Sequence, residues 1–156
     1  MQLTTKARYV IRALIDLSIN SSSSPVLVKE IAQRQGMSAR YLEQLLLPPK
    51  AAGMIRSTRG AHGGFTLAKS PTEITLREIV NIMEGSISPT ECADDPSICP
   101  SSSSCVTHDI WVKIKKATDE ILESTTLQDL VNQQLKKGAF QLASDCISTN
   151  VRNSAE

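Results

Sequence analysis

The run Arg59-Gly60-Ala61-His62-Gly63-Gly64 holds three glycines in six residues and cannot continue a helix. Around it, from Met54 to Leu67, apolar and polar residues alternate loosely, which predicts two short strands joined by a glycine-rich turn. Everything before it reads as helix. Val10, Ala13, Leu14 and Leu17 recur at three- and four-residue spacing between Thr4 and Asn20, the stripe of an amphipathic helix facing a core. Serines 21 to 24 and Pro25 break that helix. Val28 to Gln35 predicts a second one with Ile31 and Ala32 inward, ended by Gly36 in a left-handed conformation. Ser38 is placed to cap a third by accepting a bond from a free backbone amide, with Tyr41, Leu42, Leu45 and Leu46 on its buried side. Two short helices joined by a tight turn and followed by a hairpin form a helix-turn-helix with a wing. In that arrangement the second helix offers its N-terminal residues to the major groove of DNA. A helical hairpin would begin in the same way, and the glycine-rich hairpin decides between them. Pro48 and Pro49 are expected to stop the third helix, with Lys50 to Gly53 turning separately.

Thr75 and Glu78 have the spacing of a capping box, opening a fourth helix with Leu76, Ile79, Val80 and Met83 on one side and Gly85 at its end. Residues 86 to 106 carry three prolines, three cysteines and five serines from 97 onward, and they read as a loop. A loop of that length inside a compact domain calls for a reason. From Thr107 to Ser124 a long helix presents Ile110, Trp111, Ile114, Ala117, Ile121 and Leu122 on one side, a face that needs a partner. Thr126 is placed to cap a last helix reaching Lys137. The expected fold is mainly α: a winged helix-turn-helix with a small β-hairpin wing plus a long C-terminal dimerisation helix. Its units are 1–85 for DNA binding, 86–106 as a cysteine-rich loop, 107–137 for the dimerisation helix and the helix after it, and 138–156 as a polar tail expected to be disordered.

Charge divides the chain in the same way. Residues 1 to 85 carry eleven Lys or Arg against six acids, and residues 86 to 156 carry six against ten, inside a net charge of +1. The basic half is the one suited to a polyanion. Arg12 and Asp16 interrupt the apolar run 9 to 19, which argues against a signal peptide, and no stretch approaches the ~18 uncharged apolar residues of a membrane-spanning helix. A cytoplasmic location with no membrane partner is expected. No nucleophile-base pair, phosphate-binding loop or Cys-x-x-Cys motif occurs, and Ser101 to Ser104 read as loop filler, so the chain is not expected to be an enzyme.

In a reducing cytosol clustered cysteines read better as metal or redox chemistry than as disulfides. Cys92, Cys99, Cys105 and His108 are separated by six, five and two residues. Thiolate is the favoured protein ligand of iron-sulfur clusters, and imidazole can replace it on one iron. Structural zinc sites usually bring cysteines in close pairs, which are absent here, although zinc and three unrelated thiols both stay open on spacing alone. Cys146 stands apart in the tail and reads as a spare thiol.

On the DNA side, Ser38, Arg40, Tyr41 and Gln44 occupy the start of the third helix with chemistry suited to phosphates and base edges. Glu43 can accept from cytosine but repels phosphate, so it suits discrimination between operators. Lys6 and Arg8 near the first helix start are expected phosphate contacts. Arg59 at the wing tip, beside Gly60 and His62, has the reach and charge to enter a minor groove.

The segments LTTKARY, SARYLEQLL, RGAHGGF, CVTHDIW and TLQDLV together resemble the Rrf-two family of bacterial winged-helix regulators, over Met1 to about Lys137. Within it they are most similar to the IscR branch. The resemblance implies a homodimer formed through the long helix, a double-stranded DNA operator as partner, and a 2Fe-2S cluster on Cys92, Cys99, Cys105 and His108 supplied by cluster donor proteins. It maps DNA contacts onto Ser38, Tyr41, Glu43, Gln44 and Arg59. In the NsrR branch a 4Fe-4S cluster on three cysteines and a ligand from elsewhere senses nitric oxide, and retention of His108 argues against it. Other relatives lack a cluster, and those lack this cysteine trio. The chain departs from the IscR pattern in having six rather than five residues between its first two cysteines and in Pro48-Pro49.

Overall fold

The structure, a computed structural model, describes residues 3–21, 24–60 and 63–138. Its elements run α1 (Thr5–Asn20), α2 (Val28–Gln35), α3 (Ala39–Leu45), α4 (Leu47–Ala51), β1 (Ile55–Thr58), β2 (Gly64–Leu67), α5 (Leu76–Glu84), α6 (Val106–Ser124) and α7 (Leu127–Lys137). The expected winged helix-turn-helix is present. The α1 stripe buries Val10, Ala13, Leu14 and Leu17 completely or nearly so against Ile31, Leu42, Leu46, Ile74 and Ile79 from the elements around it. Gly36 takes the left-handed conformation at φ 67°, and the Ser38 hydroxyl accepts from the Tyr41 amide at 3.2 Å to start α3. The turn between α2 and α3 is therefore fixed at both ends by local chemistry.

Two features differ from the sequence expectation. Pro48 and Pro49 do not simply end α3; they sit in the first turn of the short helix α4. A helix does not need backbone donors in its first turn, so proline is tolerated there while its fixed φ favours helix. The wing also gains a third strand-like partner: Val26 pairs with Phe65 through amide-carbonyl bonds of 2.9 and 2.8 Å. β1 and β2 are antiparallel with Ile55 opposite Leu67 and Thr58 opposite Gly64. Gly64 lies at φ +152°, where an added Cβ would stand 2.5 Å from the Val26 carbonyl oxygen. Glycine is required at this position by both the backbone angle and the approach of the neighbouring segment.

α7 returns to the core of the N-terminal unit. Leu127 and Val131 pack in the same cluster as α1, Thr126 forms a full capping box with Asp129, and the Leu76 and Leu127 amides bond the Thr125 and Ile74 carbonyls at 2.8 Å each. α6 thus springs from the cysteine loop and is tied back to the winged helix at its far end. At 19 residues it is about 28 Å long. Among the described residues no helix is long and apolar enough to cross a membrane.

Candidate nucleic-acid interface and cysteine loop

The residues expected to meet DNA lie at the start of α1, on α3 with its cap, and at the tip of the β1–β2 hairpin. Ser38, Arg40, Glu43 and Gln44 are exposed on α3 or its cap, Tyr41 is half-buried, and Arg59 and Gly60 are exposed at the wing tip. Gly60 adopts φ +109°, a conformation L side chains rarely adopt, and no described atom lies within 4 Å of where a Cβ would stand. His62 lies outside the described residues, as do Ser22 and Ser23, the tail after Gly138 and its Cys146. Lys6 and Arg8 are exposed at the start of α1, where Arg8 donates to Thr5 Oγ1 at 3.0 Å. That start is anchored by Thr4, which caps α1 through the Ala7 amide, donates its backbone amide to Glu84 of α5 at 3.1 Å, and hydrogen-bonds the same carboxylate through its hydroxyl.

A buried polar pair fixes the end of α2, just before α3, against α1. Asp16 and Gln35 are each 1% exposed. The Asp16 carboxylate accepts from Arg34 at 2.7 Å and from the Gln35 amide nitrogen at 3.0 Å, joining α1 to the end of α2. Gln35 did not stand out in the sequence, and Asp16 did so only as a charge interrupting an apolar run. The available signal was Asp16 beside the α1 stripe: a carboxylate there is tolerated in a core only when it is paired and hydrogen-bonded.

Residues 86 to 105 fold as three short 3-10 turns, Glu91–Ala93, Pro96–Ile98 and Ser102–Ser104, joined by irregular backbone. Cys92 lies in the first turn, Cys99 ends the second and Cys105 caps α6, and all three are free thiols of intermediate exposure. His108 stands in the first turn of α6, and its Nδ1 is buried with no hydrogen-bond partner among the described residues. The Cys105 thiol is held below its ordinary pKa, first by its hydrogen bond with Thr107 Oγ1 at 3.1 Å and then by the His108 and Thr107 amides at the helix start. Among the described residues no three His, Cys, Asp or Glu side chains converge tightly enough to hold a single metal ion. The loop therefore collects the expected donors along one segment without drawing them together.

Charged side chains connect this loop to the helices. Ser86 Oγ donates to Asp94 at 2.8 Å, Lys115 of α6 pairs with Asp94 at 3.5 Å and with Asp119 at 2.7 Å, and Arg77 of α5 pairs with Asp119. Burial pushes the Asp119 carboxyl up, but Lys115 and Arg77 outweigh it and hold it below the usual carboxylate value. On the other side of α6 an apolar face is left open: Val106 is 82%, Ile110 50% and Ile121 64% exposed.

Comparison with known proteins places this architecture. The Rrf2 family, described as iron-dependent transcriptional regulators, matches residues 3–133. The protein rrf2 of Nitratidesulfovibrio vulgaris is 42% identical over 131 residues, covering 84% of this chain and 87% of its own length. The structure of CymR, the global cysteine regulator of B. subtilis, is similar with a TM-score of 0.74 at 36% identity, over 86% of this chain and 98% of that one. T. potens IscR is similar with a TM-score of 0.71 at 35% identity, over 90% of this chain and 93% of that one. Relatives across this range are transcriptional regulators rather than enzymes. A winged helix with an exposed recognition helix, matched over nearly all of its described length by such proteins, is a DNA-binding transcriptional regulator, and the chain belongs to the Rrf2 family.

Proposed function

We propose that this regulator is a homodimer whose operator binding responds to a 2Fe-2S cluster held by Cys92, Cys99, Cys105 and His108. The observation that carries the reading is the donor set. Three free thiols and one imidazole with a buried, unpartnered nitrogen lie on a single irregular loop and the helix it opens. Thiolate with imidazole is a known iron-sulfur donor set. The residues fit the group in kind, and holding it requires the loop to close. When bound, the cluster supplies a redox-active centre.

The chain's own residues then define what loop closure can do. Asp94 lies two residues after Cys92 and contacts Lys115; Lys115 shares Asp119 with Arg77 of α5. A rearrangement of the loop is felt on α6 and α5 through these pairs. Ile110, Ile114, Ala117 and Ile121 recur at four-, three- and four-residue spacing, the seam of a helix that packs on a second copy of itself. The distance between two recognition helices follows from that packing, and two-fold dimers read half-sites about 34 Å apart. A loop state that alters α6 shifts operator affinity only if the two states bind the operator unequally. Ser38, Arg40, Tyr41, Glu43 and Gln44 are the groove-facing set on α3, Lys6 and Arg8 the phosphate contacts, and Arg59 with Gly60 and His62 the wing contact. Cluster donor proteins are the partners that load the loop.

The test is iron and acid-labile sulfide per subunit, with the visible spectrum, on protein purified without oxygen. Two of each with a red-brown colour support the reading. Four of each point to the 4Fe-4S, nitric oxide-sensing type, and colourless protein, with zinc or with no metal after reconstitution, refutes cluster sensing while leaving DNA binding in place. The similarity to CymR supports a clusterless, thiol-responsive repressor as the second reading.

A further inference from the structure

A connected set of contacts surrounds the turn of the helix-turn-helix. The Asp16 carboxylate accepts from Arg34 Nε at 3.0 Å to each oxygen, from Arg34 Nη2 at 2.7 Å and from Gln35 Nε2 at 3.0 Å. Asn20 Nδ2 adds a bond at 3.3 Å. The Gln35 carbonyl oxygen in turn accepts from Arg12 Nε at 3.0 Å. The Arg12 guanidinium stands over the Tyr9 ring at 5.9 Å from its centroid, and the Tyr9 ring meets Tyr41 of α3 edge to face at 6.3 Å and 89°. The path runs from α1 to α2, back to α1 and on to α3.

Gln35 is the hinge of this path. Its amide is buried, and its two ends are oriented by opposite charges: nitrogen toward a carboxylate, oxygen toward a guanidinium. It is also the last residue of α2, directly before the left-handed Gly36 from which the chain turns into α3. Buried polar groups are poor sources of stability, because desolvation offsets their pairing, and apolar residues of similar volume often replace them at little cost. What such groups supply instead is a single permitted arrangement, since any slip of α2 on α1 leaves charges unpaired in the core.

We infer that Gln35 is a positioning residue for operator recognition, holding the α2 end and, through Arg12 and Tyr9, the ring of Tyr41, so that α3 enters the groove at one fixed angle. The inference rests on the reading of α3 as the groove-facing helix. Gln35 touches no DNA in this account; it acts through Tyr41 and the turn.

The test uses Gln35→Met in the full chain, which keeps the volume and the Asp16–Arg34 pair while removing both amide bonds. Three quantities are measured: the thermal midpoint, affinity for a duplex selected from a random pool by the parent protein, and affinity for a scrambled duplex of equal length at the same salt. Phosphate contacts carry the scrambled binding and base-edge geometry carries the difference. The expected result is a folded protein whose scrambled-duplex affinity stays within about twofold, with the ratio of selected to scrambled affinity falling about ten- to a hundredfold, the scale of one misaligned base contact. An unchanged ratio overturns the inference, as does an equal loss on both duplexes. Should Gln35→Met fail to fold, Tyr9→Leu, which breaks the path at its other end and leaves the buried amide in place, must lower the same ratio; parent-like discrimination by that variant overturns the inference. A parent protein that enriches no sequence from the pool refutes the groove-facing reading itself, and the positioning role with it.

Discussion

Substituting Gly64 by alanine tests whether the wing is held by its contact with the segment before α2. An added Cβ would stand 2.5 Å from the Val26 oxygen and 2.7 Å from its carbonyl carbon, both backbone atoms that no side-chain rotation can relieve. The strand must move, and the two Val26–Phe65 bonds at 2.9 and 2.8 Å are lost. Two net hydrogen bonds are worth about 1 to 3 kcal/mol together. A non-glycine residue held at φ +152° adds strain on the order of 1 to 3 kcal/mol. The expected cost is therefore about 2 to 6 kcal/mol, read as a lower midpoint in urea or heat. Gly60→Ala is the internal control: its φ of +109° is strained but nothing lies within 4 Å, so only the backbone contribution remains. The Gly64 variant should also lose operator affinity in excess of its unfolded fraction, because Arg59 is carried on the displaced hairpin. Equal stability of the two variants, or parent-like operator binding by Gly64→Ala, would refute this account of the wing.

Further outcomes follow from the same contacts. Arg59→Ala should weaken operator binding by about 1 to 3 kcal/mol while leaving the unfolding midpoint and any bound cluster unchanged, as measured by fluorescence anisotropy and visible absorption. Leu127→Ala, at a fully buried position between α7 and the α1 core, should cost about 2 to 5 kcal/mol in denaturant unfolding. The Asp119 carboxyl is held below its ordinary value, so its pairing with Arg77 and Lys115 contributes fully above about pH 4 and is lost as pH falls through the lowered value. Asp119→Asn should accordingly flatten the acid limb of the stability profile, and an unaltered acid limb would remove the pair from the account.

Much of this molecule was legible in its sequence because local chemistry and global fold agree there. Ser38 and Thr126 cap the helices they were expected to cap, and Gly36 supplies the left-handed turn. The α1 stripe is the buried face. What escaped detection was non-local. Nothing in the α2 sequence announces that Gln35 will meet Asp16 nineteen residues earlier, and the pairing of Val26 with Phe65 joins segments with no shared periodicity. Pro48 and Pro49 read as a stop because proline interrupts a helix interior; their place in a first turn depends on α3 having already ended at Leu45. The cysteine loop was visible by composition, while its tie to α6 through the Asp94–Lys115 pair is one that spacing does not encode.

In the proposed function the state of the cysteine loop changes operator binding by the winged helix. Affinity of the anaerobic, cluster-loaded dimer and of the same preparation after cluster removal should be measured side by side on duplexes selected by each form. At least one class of duplex should bind the two forms about tenfold or more apart, a coupling of roughly 1.4 kcal/mol, and Cys92→Ala should behave as the cluster-free form. Equal affinities on every duplex, with the cluster shown to be present in one sample and absent in the other, would contradict it.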